Sequence, residues 1–244
     1  MACCSRPPPA SEPPSWMARA CVDGLDDADL AGAVVLVRAD LNVPLARDGT
    51  PLDATRVTAS AATLQYVTQR GARVLLATHF GRPKGPDPAL STRALVPALR
   101  ASLPGVAVTH VGACVGEAVQ AAVAGLAPGS ILLLENVRFS RDETANAPSF
   151  AAALAAPASI FVNDAFGAAH RAHASTAGVA DAVRAKGGVA VMGLLMRSEL
   201  AALGRSLCCP ARPLVAIVGG AKVRRREGGG GRMIGGRERF PSSW

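Results

Sequence analysis

Residues 34–42 read V-V-L-V-R-A-D-L-N, and residues 73–82 read R-V-L-L-A-T-H-F-G-R. Each is a short, β-branched, nearly all-apolar run that turns polar at its carboxyl end. A strand buried on both faces has this character, because neither face needs polar residues. Between the two runs lies Val57–Gln69, rich in Ala and Thr and long enough for a helix. Strand, helix, strand predicts a βαβ unit with parallel pairing.

The same rhythm extends along the chain. Strands are expected at Val34–Val37, Val74–Leu76, Val106–Val108, Ile131–Leu134, Ile160–Val162, Val189–Val191 and Leu214–Val218. Helices are expected at Val57–Gln69, Ala94–Leu103, Glu117–Leu126, Phe150–Ala155 and Arg197–Leu207. Gly71, Gly105 and Gly129 stand just before strands, where turns fall. The expected class is therefore α/β, a parallel β-sheet with helices on both faces. In such sheets ligands bind outside the carboxyl ends of the strands. The segments there are Arg38–Asn42, Thr78–Lys84, Glu135–Arg138 and Asn163–Arg171, and each contains Arg. Four Arg-bearing loops on one edge would make an anion site.

Composition narrows the classes. The chain has 244 residues, 50% hydrophobic, with 26 Lys+Arg against 18 Asp+Glu. It is too apolar for a disordered chain, and no apolar run nears the roughly 18 residues of a membrane span. Of the formal net charge of +8, half lies in residues 224–244, which carry six Arg and two Glu. The basic excess is thus in good part a property of that segment, and no nucleic-acid partner is expected. Six cysteines at 3, 4, 21, 114, 208 and 209 include no C-x-x-C and no Cys/His pair at zinc spacing, which fits a reducing compartment. The start, M-A-C-C-S-R-P-P-P, has no apolar h-region, so no secretory signal is expected.

Five segments carry the chemistry. In V-R-A-D-L-N-V-P (37–44), Arg38 could fork onto a phosphate or carboxylate, with Asp40 and Asn42 on the same side of an extended chain. Taken alone, the segment also fits a solvated strand end with an Arg–Asp pair. In T-H-F-G-R-P-K-G (78–85), Gly81 permits close backbone approach while His79 and Arg82 supply donors, although a basic surface turn fits as well. In L-L-L-E-N-V-R-F (132–139), Glu135 is expected to pair with a neighbouring Arg. In V-N-D-A-F-G-A-A-H-R-A-H-A-S-T (162–176), His170 and Arg171 fit anion donors better than the His-x-x-His fits a metal site, and no metal is expected. In P-L-V-A-I-V-G-G-A-K-V (213–223), backbone amides after Gly219 could cradle phosphate, with Lys222 as a point charge. No G-x-x-x-x-G-K-[ST] and no G-x-G-x-x-G occurs.

These five segments, in this order, closely resemble phosphoglycerate kinase, from about Val34 to Val223. The resemblance implies a two-domain, hinge-bending enzyme with a Rossmann-like N-terminal domain. That domain binds 3-phosphoglycerate or 1,3-bisphosphoglycerate, and the second binds ATP or ADP with Mg²⁺. It implies substrate contacts at Ala39, Asp40, Leu41 and Asn42, with Arg38 in the basic patch beside them. It implies that Arg56 assists the transferring phosphoryl group. Thr78, His79, Gly81 and Arg82 match the next substrate loop, and Arg138, His170 and Arg171 complete the patch. Gly220, Ala221 and Lys222 match a nucleotide-phosphate loop. Arg226 stands where a second nucleotide-site lysine is expected.

The pattern departs at residues 224–226, where R-R-R replaces a small residue, an acid and a lysine. The domain reading is a disordered extension at 1–18, a phosphoglycerate-binding domain at 19–207, and the first strand and phosphate loop of a largely missing nucleotide domain at 208–223. Residues 224–244 are read as an aberrant Gly/Arg-rich end. The expected reaction is reversible phosphoryl transfer between ATP and the carboxylate of 3-phosphoglycerate. This chain itself is expected to be inactive, or to be a binding module without catalysis. A monomer is expected, in the cytoplasm, with a plastid as the alternative.

Overall fold

The computed structural model describes residues 21–44 and 52–208. Six strands form one sheet: β1 Val34–Ala39, β2 Arg73–Ala77, β3 Val108–His110, β4 Ile131–Leu133, β5 Ile160–Asp164 and β6 Val189–Met192. Their order is β3-β4-β2-β1-β5-β6, and every pairing is parallel. Six helices of seven residues or more accompany them among the described residues. They are α1 Thr55–Gln69, α2 Val96–Ser102, α3 Glu117–Ala124, α4 Pro148–Ala155, α5 Val179–Ala185 and α6 Leu194–Cys208.

Alternation along each strand builds two cores. Val35, Val37, Val74, Leu76, Ile131, Leu133, Ile160 and Val162 face one side, with Val57, Ala61, Leu64 and Val67 of α1 and Leu99 of α2. Leu36, Leu75, Leu132 and Phe161 face the other, with Val119 and Val123 of α3, Leu154 of α4 and Val179 and Val183 of α5. The α1 residues recur at helical spacing, so one stripe is buried while the opposite face stays wet. Burying each Leu is worth about 1.5–3 kcal/mol, and both faces of the sheet contribute.

The expected elements recur with two differences. The third strand begins at Val108 and not Val106, because Gly105 (φ 82°) opens a turn in which the Val106 amide bonds the Leu103 carbonyl. Helix α5 was not anticipated: it is short and shows the sheet only Val179 and Val183. Gly71 and Gly129 adopt positive φ as the turns require. The expected strand Leu214–Val218, and Gly220, Ala221, Lys222 and Arg226, lie outside the described residues.

The topology fixes where a ligand can sit. From β1 the chain moves to β2 on one side, and β5 arrives on the other, so the strand order switches at β1. The carboxyl ends of β2, β1 and β5 therefore frame a crevice. Register aligns Arg38 with Ala77 on one side and Asn163 on the other.

Candidate functional site

Arg38 is the last polar commitment of β1, and it is only 1% exposed. Its guanidinium is satisfied within the protein. Nε donates to Ser175 Oγ (2.9 Å), Nη1 to the Ala39 carbonyl (2.5 Å) and Nη2 meets His79 Nδ1 at 3.0 Å. The expectation that Arg38 forks directly onto a ligand is therefore corrected: a buried guanidinium takes protein partners, because leaving its donors unpaired is costly. The strand ends at Ala39, so Asp40 and Asn42 do not continue the face of Arg38. Asp40 pairs with Arg56 (2.6 Å) and not with Arg38. Asn42 Oδ1 accepts from the Gly81 amide (2.8 Å), and the Leu41 amide donates to Thr78 Oγ1 (3.1 Å). The loops after β1 and β2 are thus tied together.

Arg56 stands at the start of α1. Asp53 Oδ1 accepts from the Thr55 amide (2.8 Å) and hydroxyl, which starts the helix one residue earlier. The Arg56 side chain is 52% exposed, so it remains available at the rim. Gly167 lies against the same carboxylate, where a Cβ would come within 2.8 Å of Asp40 Oδ2.

Asn136, fully buried, holds the loop after β2. Its Oδ1 accepts from the Phe80 and Arg138 amides (both 3.1 Å), and its Nδ2 donates to the Phe80 (2.6 Å) and Leu90 (2.9 Å) carbonyls. Arg138 Nη1 donates to the Gly81 carbonyl (3.0 Å). Gly81 itself has φ +64°, and a Cβ there would lie 2.8 Å from Leu90 Cδ2. Gly81→Ala is expected to cost about 1–3 kcal/mol through strain and overpacking. A urea unfolding midpoint unchanged from the parent would count against this account.

Glu135 departs from its expected Arg partnership. It accepts from Ser91 Oγ (2.7 Å), the Thr92 amide (2.9 Å) and the Asn136 amide (2.8 Å), with His110 Nε2 3.7 Å away. It anchors the 91–92 connection. A cavity of about 1280 Å³ lies beside it, lined in part by Arg93, His110, Glu135 and Phe139. Arg38, Arg56 and Arg171 do not line it.

The segment after β5 brings the remaining residues. Arg171 and His170 are both exposed, and Arg171 Nε donates to His170 Nε2 (3.1 Å). His170 was expected as an anion donor; here it accepts from Arg171 and orients that guanidinium. Two residues were not anticipated. Glu143, in the single helical turn Arg141–Thr144, is fully buried. It accepts from Ser175 Oγ (2.6 Å) and the Ser175 amide (2.8 Å). Nothing in R-D-E-T marks Glu143 as buried. Ser175, the second of the two, lies in the H-A-S-T stretch, where a partner 32 residues away leaves no local trace.

Positive charge converges here. Arg38 is held down to about 10 by burial, with Arg138 adding repulsion while Glu143 and Asp40 oppose the drop. Arg138 is lowered by burial first, then by Arg171 and Arg82. His79 falls to about 3 through burial and through Arg38, Arg138, Arg56 and His173. Burial first, then the same arginines Arg138, Arg171 and Arg38, lower His173, against the pull of Glu143. Five arginines thus act on one crevice, opposed by Asp40 and Glu143. Two neutral imidazoles sit between them. Such a field favours a multiply charged anion.

The family model described as phosphoglycerate kinase matches residues 25–227. The phosphoglycerate kinase of Rhodospirillum centenum is 50% identical over 200 residues, covering 82% of this chain and 49% of its own length. Chloroplastic phosphoglycerate kinase 1 of Arabidopsis thaliana is 48% identical over 212 residues, covering 87% and 43%. The crystal structure of the Pyrococcus horikoshii phosphoglycerate kinase superposes with a TM-score of 0.70 at 29% identity, over 83% of this chain and 49% of that one. The chain spans about half the length of the curated relatives it matches. On a parallel α/β sheet of the same architecture, and a family match running from residue 25 to residue 227, this chain belongs to the phosphoglycerate kinase family.

Proposed function

We propose that the described residues form the phosphoglycerate-binding half of an enzyme that moves a phosphoryl group reversibly between ATP and the carboxylate of 3-phosphoglycerate. The observation that carries the reading is the convergence of Arg38, Arg56, Arg82, Arg138 and Arg171 on one crevice at the carboxyl ends of β1, β2, β4 and β5. Exposed Arg82 and Arg171, with part-buried Arg138, would meet the phosphate. Thr78 and Asn42 hold the loops in place, and Gly81 lets the backbone come close. Ala39, Asp40, Leu41 and Asn42 would meet the glycerate body, and His79 Nε2–H offers a neutral donor.

The chemistry needs little else from this half. A substrate carboxylate with a pKa near 3.5 is already ionised at neutral pH, so no general base is required. What matters is orientation and positive charge along the transfer path. Arg56 fits that role: it is exposed and steered by Asp40, so its guanidinium can turn from a side-chain carboxylate to a transferring phosphoryl group. ATP or ADP with Mg²⁺ would supply the phosphoryl donor in the family's reaction. The residues proposed to hold the nucleotide, Gly220, Ala221, Lys222 and Arg226, lie outside the described residues.

The test is titration calorimetry with 3-phosphoglycerate on the 244-residue chain. Binding is expected, weakening as salt rises from 0.05 to about 0.2 M, because screening shortens the reach of exposed arginines. A coupled assay on the same polypeptide is expected to show binding without turnover. Absence of binding by a folded sample would sink the anion-site reading. The chain is proposed to act as a monomer in the cytoplasm, the chloroplastic relative making a plastid the alternative. Among the described residues no helix is long and apolar enough to cross a membrane.

A further inference from the structure

Four buried side chains form a directed series. An arginine side chain carries donors and no acceptor. Arg38 Nη2 lies 3.0 Å from His79 Nδ1, so Nδ1 must accept, and the ring proton resides on Nε2. Arg38 Nε donates to Ser175 Oγ at 2.9 Å. The single hydroxyl proton of Ser175 is then directed to Glu143 Oε1 at 2.6 Å. The other Glu143 oxygen accepts the Ser175 amide at 2.8 Å. That amide is free to do so because Ser175 lies in a π-turn, Ala174–Gly178. There the His173 carbonyl takes the amides of Thr176, Ala177 and Gly178. Arg38, Ser175 and Glu143 are each 2% exposed or less.

We infer that Glu143 and Ser175 are positioning residues for the anion site. Acting through Arg38, they hold the His79 ring in the tautomer that carries its proton on Nε2 and keeps it there as a donor. Around His79 stand Arg38, Arg138, Arg56 and His173, all cationic or able to become so. Protonating Nδ1 would set N–H against the guanidinium N–H, and burial with these charges holds the ring neutral. The ligand consequence rests on the phosphoglycerate reading above. The tautomer does not.

The test uses the 244-residue chain without ligand. Two-bond ¹⁵N–¹H correlations are expected to show His79 as the Nε2–H tautomer, with no titration of the ring above pH 5. Ser175→Ala removes only the hydroxyl and leaves both charges. It is expected to mix the two tautomers, to raise the pH at which His79 titrates, and to weaken 3-phosphoglycerate binding roughly three- to tenfold. Glu143→Gln is expected to move the same readouts further, and if it does not fold, Ser175→Ala decides alone. An Nδ1–H tautomer in the parent overturns the inference. So does a Ser175→Ala variant with a lowered melting temperature but unchanged tautomer and titration, since that is the mark of a merely structural role. If the tautomers behave as expected while 3-phosphoglycerate fails to bind the parent, the series stands and the proposed ligand falls.

Discussion

Glu143→Ala is expected to cost about 3–5 kcal/mol of stability, the scale for removing one member of a buried charge pair. Arg38 is 1% exposed, and Glu143 is the largest opposing charge acting on it. Removing the carboxylate leaves the guanidinium with only the weaker pull of Asp40 and strips the Ser175 amide of its acceptor. For a domain whose whole stability is of the order of 5–15 kcal/mol, that is a large share. At about 2–4 °C per kcal/mol for a chain of this size, the melting temperature should fall by roughly 10 °C. The double variant Arg38→Met, Glu143→Ala removes both charges. It should be less damaging than the sum of the two singles, because each single change leaves an orphan that the other removes. Thermal or urea unfolding of the three variants decides it. Strict additivity, or a single-variant loss below 1 kcal/mol, would falsify the coupling.

Acid should unfold the domain through His79. Its folded pKa, about 3, lies below the unfolded value of 6.5. Between those values the unfolded chain binds the proton and the folded one does not. Stability is therefore fully present above pH 6.5 and is lost as pH falls through that window toward 3. The full shift corresponds to at most roughly 5 kcal/mol. His110 and His173, lowered first by burial, act in the same direction. Asp164 acts oppositely: burial raises it, so its contribution is present below its unfolded value of 3.8 and is lost as pH rises through the folded value. Denaturant midpoints between pH 4 and 7.5 should rise with pH, and His79→Asn should flatten that slope markedly. An equal slope in parent and variant would assign the acid sensitivity to other groups.

Much of the fold was legible because buried parallel strands leave continuous apolar runs, and glycines mark the turns between them. Val34–Val37, Val74–Leu76 and Ile160–Val162 all lie within strands. The third strand slipped by two residues because the apolar run starts inside the turn opened by Gly105. The arginines of the site were legible, since charge at the end of an apolar run has few structural uses. Their partners were not. Arg38 looked like a ligand fork because sequence cannot show that Ser175 and His79 reach its guanidinium first. Glu135 looked like a partner for arginine because its acceptors are filled by Ser91 and Thr92, more than forty residues earlier. Polar satisfaction is a three-dimensional property, and periodicity carries no record of it.

The position of β1 in the sheet also sets a timetable for synthesis. Val35 pairs with Val74 soon after it is made, but its other neighbour, Ile160, emerges about 125 residues later. At 5–20 residues per second the ribosome needs roughly 6–25 s to supply it. Throughout that interval one edge of β1 is open, and Arg38 lacks Ser175. The loop closure that joins β1 to β5 is long and comes late, which is the slow step of a non-local topology. The anion site is thus completed late on the nascent chain, only after β5 and Ser175 have emerged. Its arginines stay solvated until the segment through Ser175 has emerged, and a growing chain cannot hold the anion in its finished geometry before then.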